Sequence, residues 1–309
     1  MSGANQHSHG SHGHHHARPT TGGHGTAFAV AVTLNAAFVV AEVVAGLASG
    51  SMALLADAGH NFGDVLSLLL AWGASILAAR PPSQRFTYGL KSSSILAAIA
   101  NAALLWVALG AILLETIRRI FNPVPPDGLT MLVVAGIGIA INGLSAALFA
   151  RGRKGDLNLR AAFQHLLADA AVSAGVVVAG FAILLTGQSW IDPLTSLLIT
   201  LAIGWGSWGL LKEAVRMGLL GVPEGVDETA VRTFLAALPG VSGVHDLHIW
   251  PMSTTENALT AHLVMPGGQS VDGFLRDVAE RLNHDFAIHH ATIQVESGGE
   301  CGLEADEVV

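Results

Sequence analysis

His60-Asn61-Phe62-Gly63-Asp64 and His165-Leu166-Leu167-Ala168-Asp169 share one pattern, a histidine followed four residues later by an aspartate, and each lies inside a long apolar run. On a helix, residues four apart stack on one face. Each stretch therefore aims an imidazole and a carboxylate at the same point, and two such helices face to face supply four ligands. Four nitrogen and oxygen ligands are what tetrahedral zinc takes. A single His-Asp pair is equally well read as a polar contact between packed helices. Two copies are harder to read that way, because an aspartate near the bilayer centre costs on the order of 2.5–3.5 kcal/mol on insertion scales. A cation moving across the membrane is the simplest reason to carry the pattern twice.

The surrounding sequence supports a membrane setting. Of 309 residues, 51% are hydrophobic and 12% charged, and mean hydropathy is +0.53, a membrane composition. Six apolar runs, at 26–48, 51–79, 92–120, 127–150, 158–186 and 191–220, each exceed the roughly 20 helical residues that cross a hydrocarbon core. The first is too long for a signal-peptide core and is followed by further spans, so it reads as a retained transmembrane helix. Ser49-Gly50, Arg80-Pro81-Pro82, Asn122-Pro123-Val124-Pro125-Pro126 and Gly187 to Trp190 read as turns. Loops 80–91 and 151–160 carry Arg80, Arg85, Lys91, Arg151, Arg153, Lys154 and Arg160, whereas the opposite side has only Arg118 and Arg119. The positive-inside rule then places both termini in the cytoplasm, and the expected location is a bacterial inner membrane.

Residues 1–25 are rich in Gly, Ser and His and include His7, His9, His12, His14, His15, His16 and His24. This composition reads as a disordered cytoplasmic tail, either a solvated leader or a weak metal collector. Within the spans, Asn35, Asn101 and Asn142 are expected to hydrogen-bond between helices. Glu42 and Asp57 are less easily dismissed. Asp57 lies three residues before His60, within reach of the same face, and suits a carboxylate backing the metal site, a relay, or a cap at the end of the span.

From 222 the character changes. Residues 222–309 hold 3 Lys/Arg against 14 Asp/Glu, a net −11, while residues 1–221 hold 12 against 9, a net +3. Nucleic acid would be repelled by such a domain, whereas cations suit it. Helical spacing of Val231, Phe234, Leu235 and Leu238, strands at 241–250 and 257–265, a second helical stripe at 270–284 and a strand at 287–296 give αββαβ, a small α+β ferredoxin-like domain. The expected divisions are a tail at 1–25, a six-helix domain at 26–221, a metal-binding domain at 222–297 and an acidic tail at 298–309. Strand alternation puts His245 with Leu247 and Ile249, and His248 with Asp246 and Trp250 on the other face, so the domain's histidines cannot form a single site. His245, His262 and Glu296, one from each strand, are the best constellation. His248 and Cys301, the one cysteine, are weaker candidates.

Six spans, HxxxD in the second and fifth, and an acidic αββαβ domain together resemble the cation diffusion facilitator family, particularly its zinc, cadmium and cobalt efflux branch. Supporting stretches are Leu55 to His60, Ile95-Leu96-Ala97-Ala98 with Asn101, Asp192-Pro193, His245 to Trp250, and Thr292 to Glu296. The resemblance implies a homodimeric antiporter that exports Zn2+ from the cytoplasm against protons, with Cd2+ or Co2+ as other cargo. It also implies a dimer-holding domain that binds regulatory metal. Carried over, the transport ligands are His60, Asp64, His165 and Asp169, and the domain ligands His245, His262 and Glu296. The chain departs from many relatives at Ser92 and Ser94, where an Arg and a Glu are usual. Its 80–91 loop has no His or Asp, and its 151–160 loop has no His-rich insertion. Two rivals share the ligands: a membrane metal sensor or store without turnover, and an intramembrane zinc hydrolase. The hydrolase would need a general-base carboxylate as in HExxH, where this chain has Asn61 and Leu166.

Overall fold

The computed structural model describes residues 25–150, 157–267 and 271–298. Six long helices come first: α1 (Gly25–Ser49), α2 (Met52–Ala78), α3 (Ser93–Phe121), α4 (Gly128–Ala150), α5 (Leu157–Thr186) and α6 (Ile191–Gly218). Five of them contain stretches long and apolar enough to cross a bilayer, and the described apolar part of α1, Thr33–Ser49, is shorter. In lipid a helix satisfies its backbone internally, so the breaks fall where the sequence supplies other partners. Ser51 caps α2, its hydroxyl accepting from the Leu54 amide at 3.1 Å. Asp127 caps α4 by accepting from the Leu129 amide and the Thr130 hydroxyl, and these hydrogen bonds, the Thr130 hydroxyl first, hold its carboxyl below the usual range.

The bundle is inverted relative to a water-soluble one. Large apolar side chains face outward, Trp205 at 88% and Val107 at 71% exposure, while Glu42, Asp57, Asn61, Asn142, Ser173 and Asp192 are buried. Outward apolar surface with inward polar groups is the arrangement lipid demands. α4 and α5 cross at glycines, where a Cβ on Gly180 would lie 2.9 Å from the Gly128 carbonyl oxygen. Close approach of this kind fixes the position of α5 and its ligands.

Asp192, in the first turn of α6, closes the far end of α2. Its Oδ1 accepts from the Ser51 hydroxyl at 2.6 Å and the Ala53 amide at 3.1 Å, and its Oδ2 from the Met52 amide at 2.7 Å. A carboxylate at a helix N-terminus meets the orphan amides and the positive end of the dipole together. The helix bearing His60 and Asp64 is thereby tied to α6.

α6 ends in a Schellman turn, with the Gly221 amide donating to Arg216 O and the Leu220 amide to Met217 O. Leu220 takes the left-handed conformation usually left to glycine, φ 58°. The second unit follows as α7 (Glu228–Ala236), β1 (Gly243–Pro251), β2 (Asn257–Val264), α8 (Val271–Phe286) and β3 (Ile288–Glu296). The αββαβ order matches expectation. β1 pairs antiparallel with β2, and β2 parallel with β3, in a mixed sheet of order β1-β2-β3. Val231 and Leu235 of α7 and Val278 and Leu282 of α8 pack on Leu259 and Leu263 of the sheet.

The turn between β1 and β2 docks on the start of α3. Lys91 pairs with Glu256, the Ser92 hydroxyl donates to Met252 O at 3.2 Å, and the Ser94 hydroxyl accepts from the Thr254 amide at 3.1 Å. Tyr88 meets His290 edge-on, 5.4 Å between centroids. Ser92 and Ser94 thus help to seat the second domain.

Candidate metal centres

α2 and α5 bring the two HxxxD motifs together in crossed fashion. His60 Nε2 lies 3.0 Å from Asp169 Oδ1 on the other helix and 3.9 Å from Asp64 on its own. His165 Nε2 lies 3.3 Å from Asp64 and 3.7 Å from Asp169. The two rings stand 6.0 Å apart. Donor atoms of His60, Asp64 and Asp169 lie within 4.8 Å of one another, and His165, its side chain 50% exposed, stands at the rim. The group lines a cavity of about 410 Å³ with Ser67, Asn101, His165, Ser207 and Leu210. α2, α3, α5 and α6 all contribute to the lining, with Val172 on one side of the ligands and Ser67 and Leu210 on the other.

Asn101 therefore faces the cavity, and its Oδ1 makes no hydrogen bond, as is also true of Asn35 Oδ1 and Asn142 Nδ2. The interhelical bonds expected of these atoms are not formed among the described residues. Asp57 is neither a cap, since Ser51 holds that position, nor hydrogen-bonded to His60; it accepts from the Ser173 hydroxyl at 2.8 Å.

The second cluster sits at one end of the mixed sheet. Cross-strand pairing sets His245 against His262, and β3 brings Glu296 alongside Val264. His245 Nε2 lies 3.0 Å from Glu296 Oε2, and His262 Nδ1 3.0 Å from Glu296 Oε1. Donors from all three residues lie within 4.8 Å of one another. The His245 hydrogen bond holds the Glu296 carboxyl below the ordinary glutamate range.

Here the expected alternation fails. Asp246 takes φ 50° and the β1–β2 register shifts between His245 and His248. A bulge inserts a residue and re-aims its neighbours, so His245 leaves the face of Leu247 and Ile249 and meets His262, ring centroids 5.0 Å apart. The same bulge puts Asp246 Oδ2 3.5 Å from His262 Nε2 and Asp246 Oδ1 2.7 Å from His248 Nε2. His245, Asp246, His248, His262 and Glu296 form one connected set, contrary to the reading that these histidines must divide between faces. His284, His289 and His290 do lie elsewhere, paired with Asp285, the Asn257 amide and Tyr88. Cys301 and the N-terminal histidines fall outside the described residues.

Residues 28–217 match the cation efflux transmembrane domain, and residues 223–298 the cation efflux protein cytoplasmic domain. The chain belongs to the cation efflux family. This is the cation diffusion facilitator family that the motifs resemble. The metal cation efflux system protein CzcD of Cupriavidus metallidurans is 35% identical over 285 residues, 92% of this chain and 90% of the relative. The zinc transporter ZitB of Escherichia coli is 37% identical over 276 residues, 87% and 88% of the two chains. A cadmium, cobalt and zinc/H(+)-K(+) antiporter of Bacillus subtilis is 32% identical over 265 residues, 84% and 85%. This cation efflux protein is thus an integral membrane protein with a cytoplasmic C-terminal domain.

Sequence reasoning left two features of this cation efflux protein unassigned. Asp192-Pro193 reads from sequence only as a motif, although a buried Asp at the start of one helix is a cap in search of amides, and Ser51 opens the helix that needs them. Asp246 was set apart from the cluster because the period of two was carried through the bulge.

Proposed function

We propose that the chain is a zinc/proton antiporter that exports Zn2+ from the cytoplasm through a site made by His60, Asp64, His165 and Asp169. The crossed convergence of two imidazoles and two carboxylates in one cavity between α2, α3, α5 and α6 carries this reading. Those donors fit zinc in kind and number. An imidazole must be neutral to ligate, so protons and zinc compete for His60 and His165, and that competition is the coupling. Facing the cytoplasm the site loads zinc and sheds protons; facing a more acidic side it takes protons and releases zinc. The relatives named as a zinc transporter and as a zinc/H(+)-K(+) antiporter support the same cargo and exchange, and Cd2+ and Co2+ are secondary cargo.

The reading extends to organisation. Residues 26–221 form six spans in the bacterial inner membrane, residues 222–297 a ferredoxin-like domain, and both termini are cytoplasmic. The protein works as a homodimer. The donor set of His245, His262 and Glu296 fits a resident Zn2+, which these residues would hold. When bound, that ion supplies positive charge to a region of net −11. Asp246 faces the outer nitrogen of the His262 ring at 3.5 Å and favours that ring's orientation, and the sheet holds the donors in register.

Zinc uptake into inside-out vesicles, with and without an imposed proton gradient, tests the proposal. Gradient-driven accumulation that Asp169→Ala abolishes is the expected result. Binding without accumulation in the wild type would make the protein a sensor or store instead.

A further inference from the structure

Glu42 of α1 and Asp57 of α2 are both buried, 0% exposed. Glu42 Oε2 accepts from Asn61 Nδ2 at 2.8 Å, and Asp57 Oδ2 accepts from the Ser173 hydroxyl at 2.8 Å. Each carboxyl has one oxygen left over, Glu42 Oε1 and Asp57 Oδ1, both buried and reached by no other donor. Asp57 and Asn61 are four residues apart on α2 and share a face, so Glu42, bonded to Asn61, stands beside Asp57. Ionised carboxylates only accept, so the two left-over oxygens can satisfy each other only through a proton on one of the carboxyls. One proton between the pair satisfies both oxygens and leaves a single charge where two would stand together in a dry interior.

Among the described residues no Lys or Arg acts on either carboxyl. Glu42 is the lone ionisable residue of α1, and α4 has none. From α2 and α5, His60 and Asp169 act on Asp57. At the near end of α6, Asp192 is committed to the amides of α2.

The position of the pair decides its role. α2 runs from the far side toward the cytoplasmic domain, and Asp57 precedes His60; α5 runs the other way, and Ser173 follows Asp169. Both steps, about 4.5 and 6 Å along the helices, lead outward from the metal site. Glu42, Asp57, Asn61 and Ser173 therefore form a buried layer on the outward side of the ligands. A metal leaving outward must part this layer.

We propose that Glu42 and Asp57 share one proton that seals the outward side of the transport site, a proton site separate from the metal ligands. Parting α2 from α5 breaks the Ser173–Asp57 bond and admits water. Once wetted, the second carboxyl ionises and its proton leaves to the outer solution. Closure takes one proton back from that same side, so this proton is not itself carried across. The seal rests on the transport reading above, but the proton between the carboxyls does not.

The test uses full-length protein in nanodiscs, comparing wild type with Glu42→Gln and Asp57→Asn. Gln and Asn are neutral and isosteric with the protonated acid, so Glu42→Gln mimics a permanently sealed form. The expected result is an infrared carbonyl band of a protonated carboxylic acid at neutral pH in wild type, shifted in heavy water and lost in either variant. Glu42→Gln should bind zinc from the cytoplasmic side as wild type does, yet move it at least about tenfold more slowly. A wild type without the band, or a band that survives both substitutions, overturns the shared proton. Flux within about twofold of wild type in Glu42→Gln overturns the seal. If one variant fails to elute as wild type does, the other decides. A wild type whose flux ignores a proton gradient would instead sink the antiport reading, leaving the band to be judged alone.

Discussion

The membrane cluster and the cytoplasmic cluster use the same donors, imidazole and carboxylate, on two different frames. In the membrane each His-Asp pair rides its own helix, and each imidazole leans closer to the carboxylate of the other helix, 3.0 and 3.3 Å, than to its own, 3.9 and 3.7 Å. Among the described residues no backbone hydrogen bond joins α2 to α5, so the halves can separate. In the domain, His245, His262 and Glu296 stand on strands hydrogen-bonded to one another in fixed register. A site whose halves can part suits cargo, and one stitched into a sheet suits an ion that stays.

If that contrast is right, the largest effect belongs to the separable site. Asp169→Ala or His60→Ala should reduce gradient-driven zinc flux to background in vesicles, whereas His262→Ala should leave flux at saturating zinc close to wild type. Equal losses would erase the distinction between cargo and resident metal.

Asp246→Asn sharpens the comparison from the other side. Asn tolerates the left-handed backbone there, so the change removes charge from the group facing His262 with little strain. Zinc affinity of the domain site in the full-length protein should fall about 10–100-fold, the usual consequence of losing such a partner. Flux at saturating zinc should not follow it.

Selectivity should also divide between the frames. Replacing His60 by Asp makes the membrane site harder and looser, and the zinc-to-cadmium transport ratio should shift by about tenfold, or 1.4 kcal/mol. The same ratio should ignore Glu296→Ala. Competition assays in vesicles that show the reverse would place selectivity in the domain.

Smaller still is the clasp between two copies of the domain. Like-charge repulsion is strongest at low salt, where the Debye length is about 30 Å at 0.01 M. Spin labels on the domains of the intact dimer should report a zinc-dependent shortening at low salt that fades at high salt. His262→Ala with Glu296→Ala should abolish it, and persistence would move the metal elsewhere.

The smallest effect is acid sensitivity. Glu296 is depressed by the His245 hydrogen bond, so the folded state binds fewer protons there than the unfolded one. Its contribution is full above the ordinary glutamate pKa of about 4.3 and is lost as pH falls below that. In metal-free protein, Glu296→Gln should flatten the acid limb of a thermal-stability profile slightly, because the carboxyl is partly exposed.

The helical half was legible because its signal repeats. Apolar runs bounded by Ser51, Pro81 and Pro123 gave helix limits within two residues, and an i,i+4 spacing can be drawn on a helix without coordinates. The αββαβ order came equally from periodicity. What could not be read is what depends on a single backbone angle or on a partner far along the chain. The bulge at Asp246 is a local departure from a period of two, and no composition marks it. Asp192 with Ser51, and Glu42 with Asp57, are pairs whose meaning appears only when α6 and α1 are laid beside α2.

Among the described residues the cytoplasmic domain hangs from the bundle at two places, the chain leaving α6 through Leu220, and the seat just before and at the start of α3, where Lys91, Ser92 and Ser94 hold the β1–β2 turn and Tyr88 meets His290. A body pinned at two points keeps one free rotation, about the line joining the pins, and loses the rest. Swinging of the acidic domain toward or away from a neighbour is therefore a single-axis motion, like a door on its frame. Because one hinge of that door is the first turn of α3, its swing cannot occur without twisting the end of a transmembrane helix.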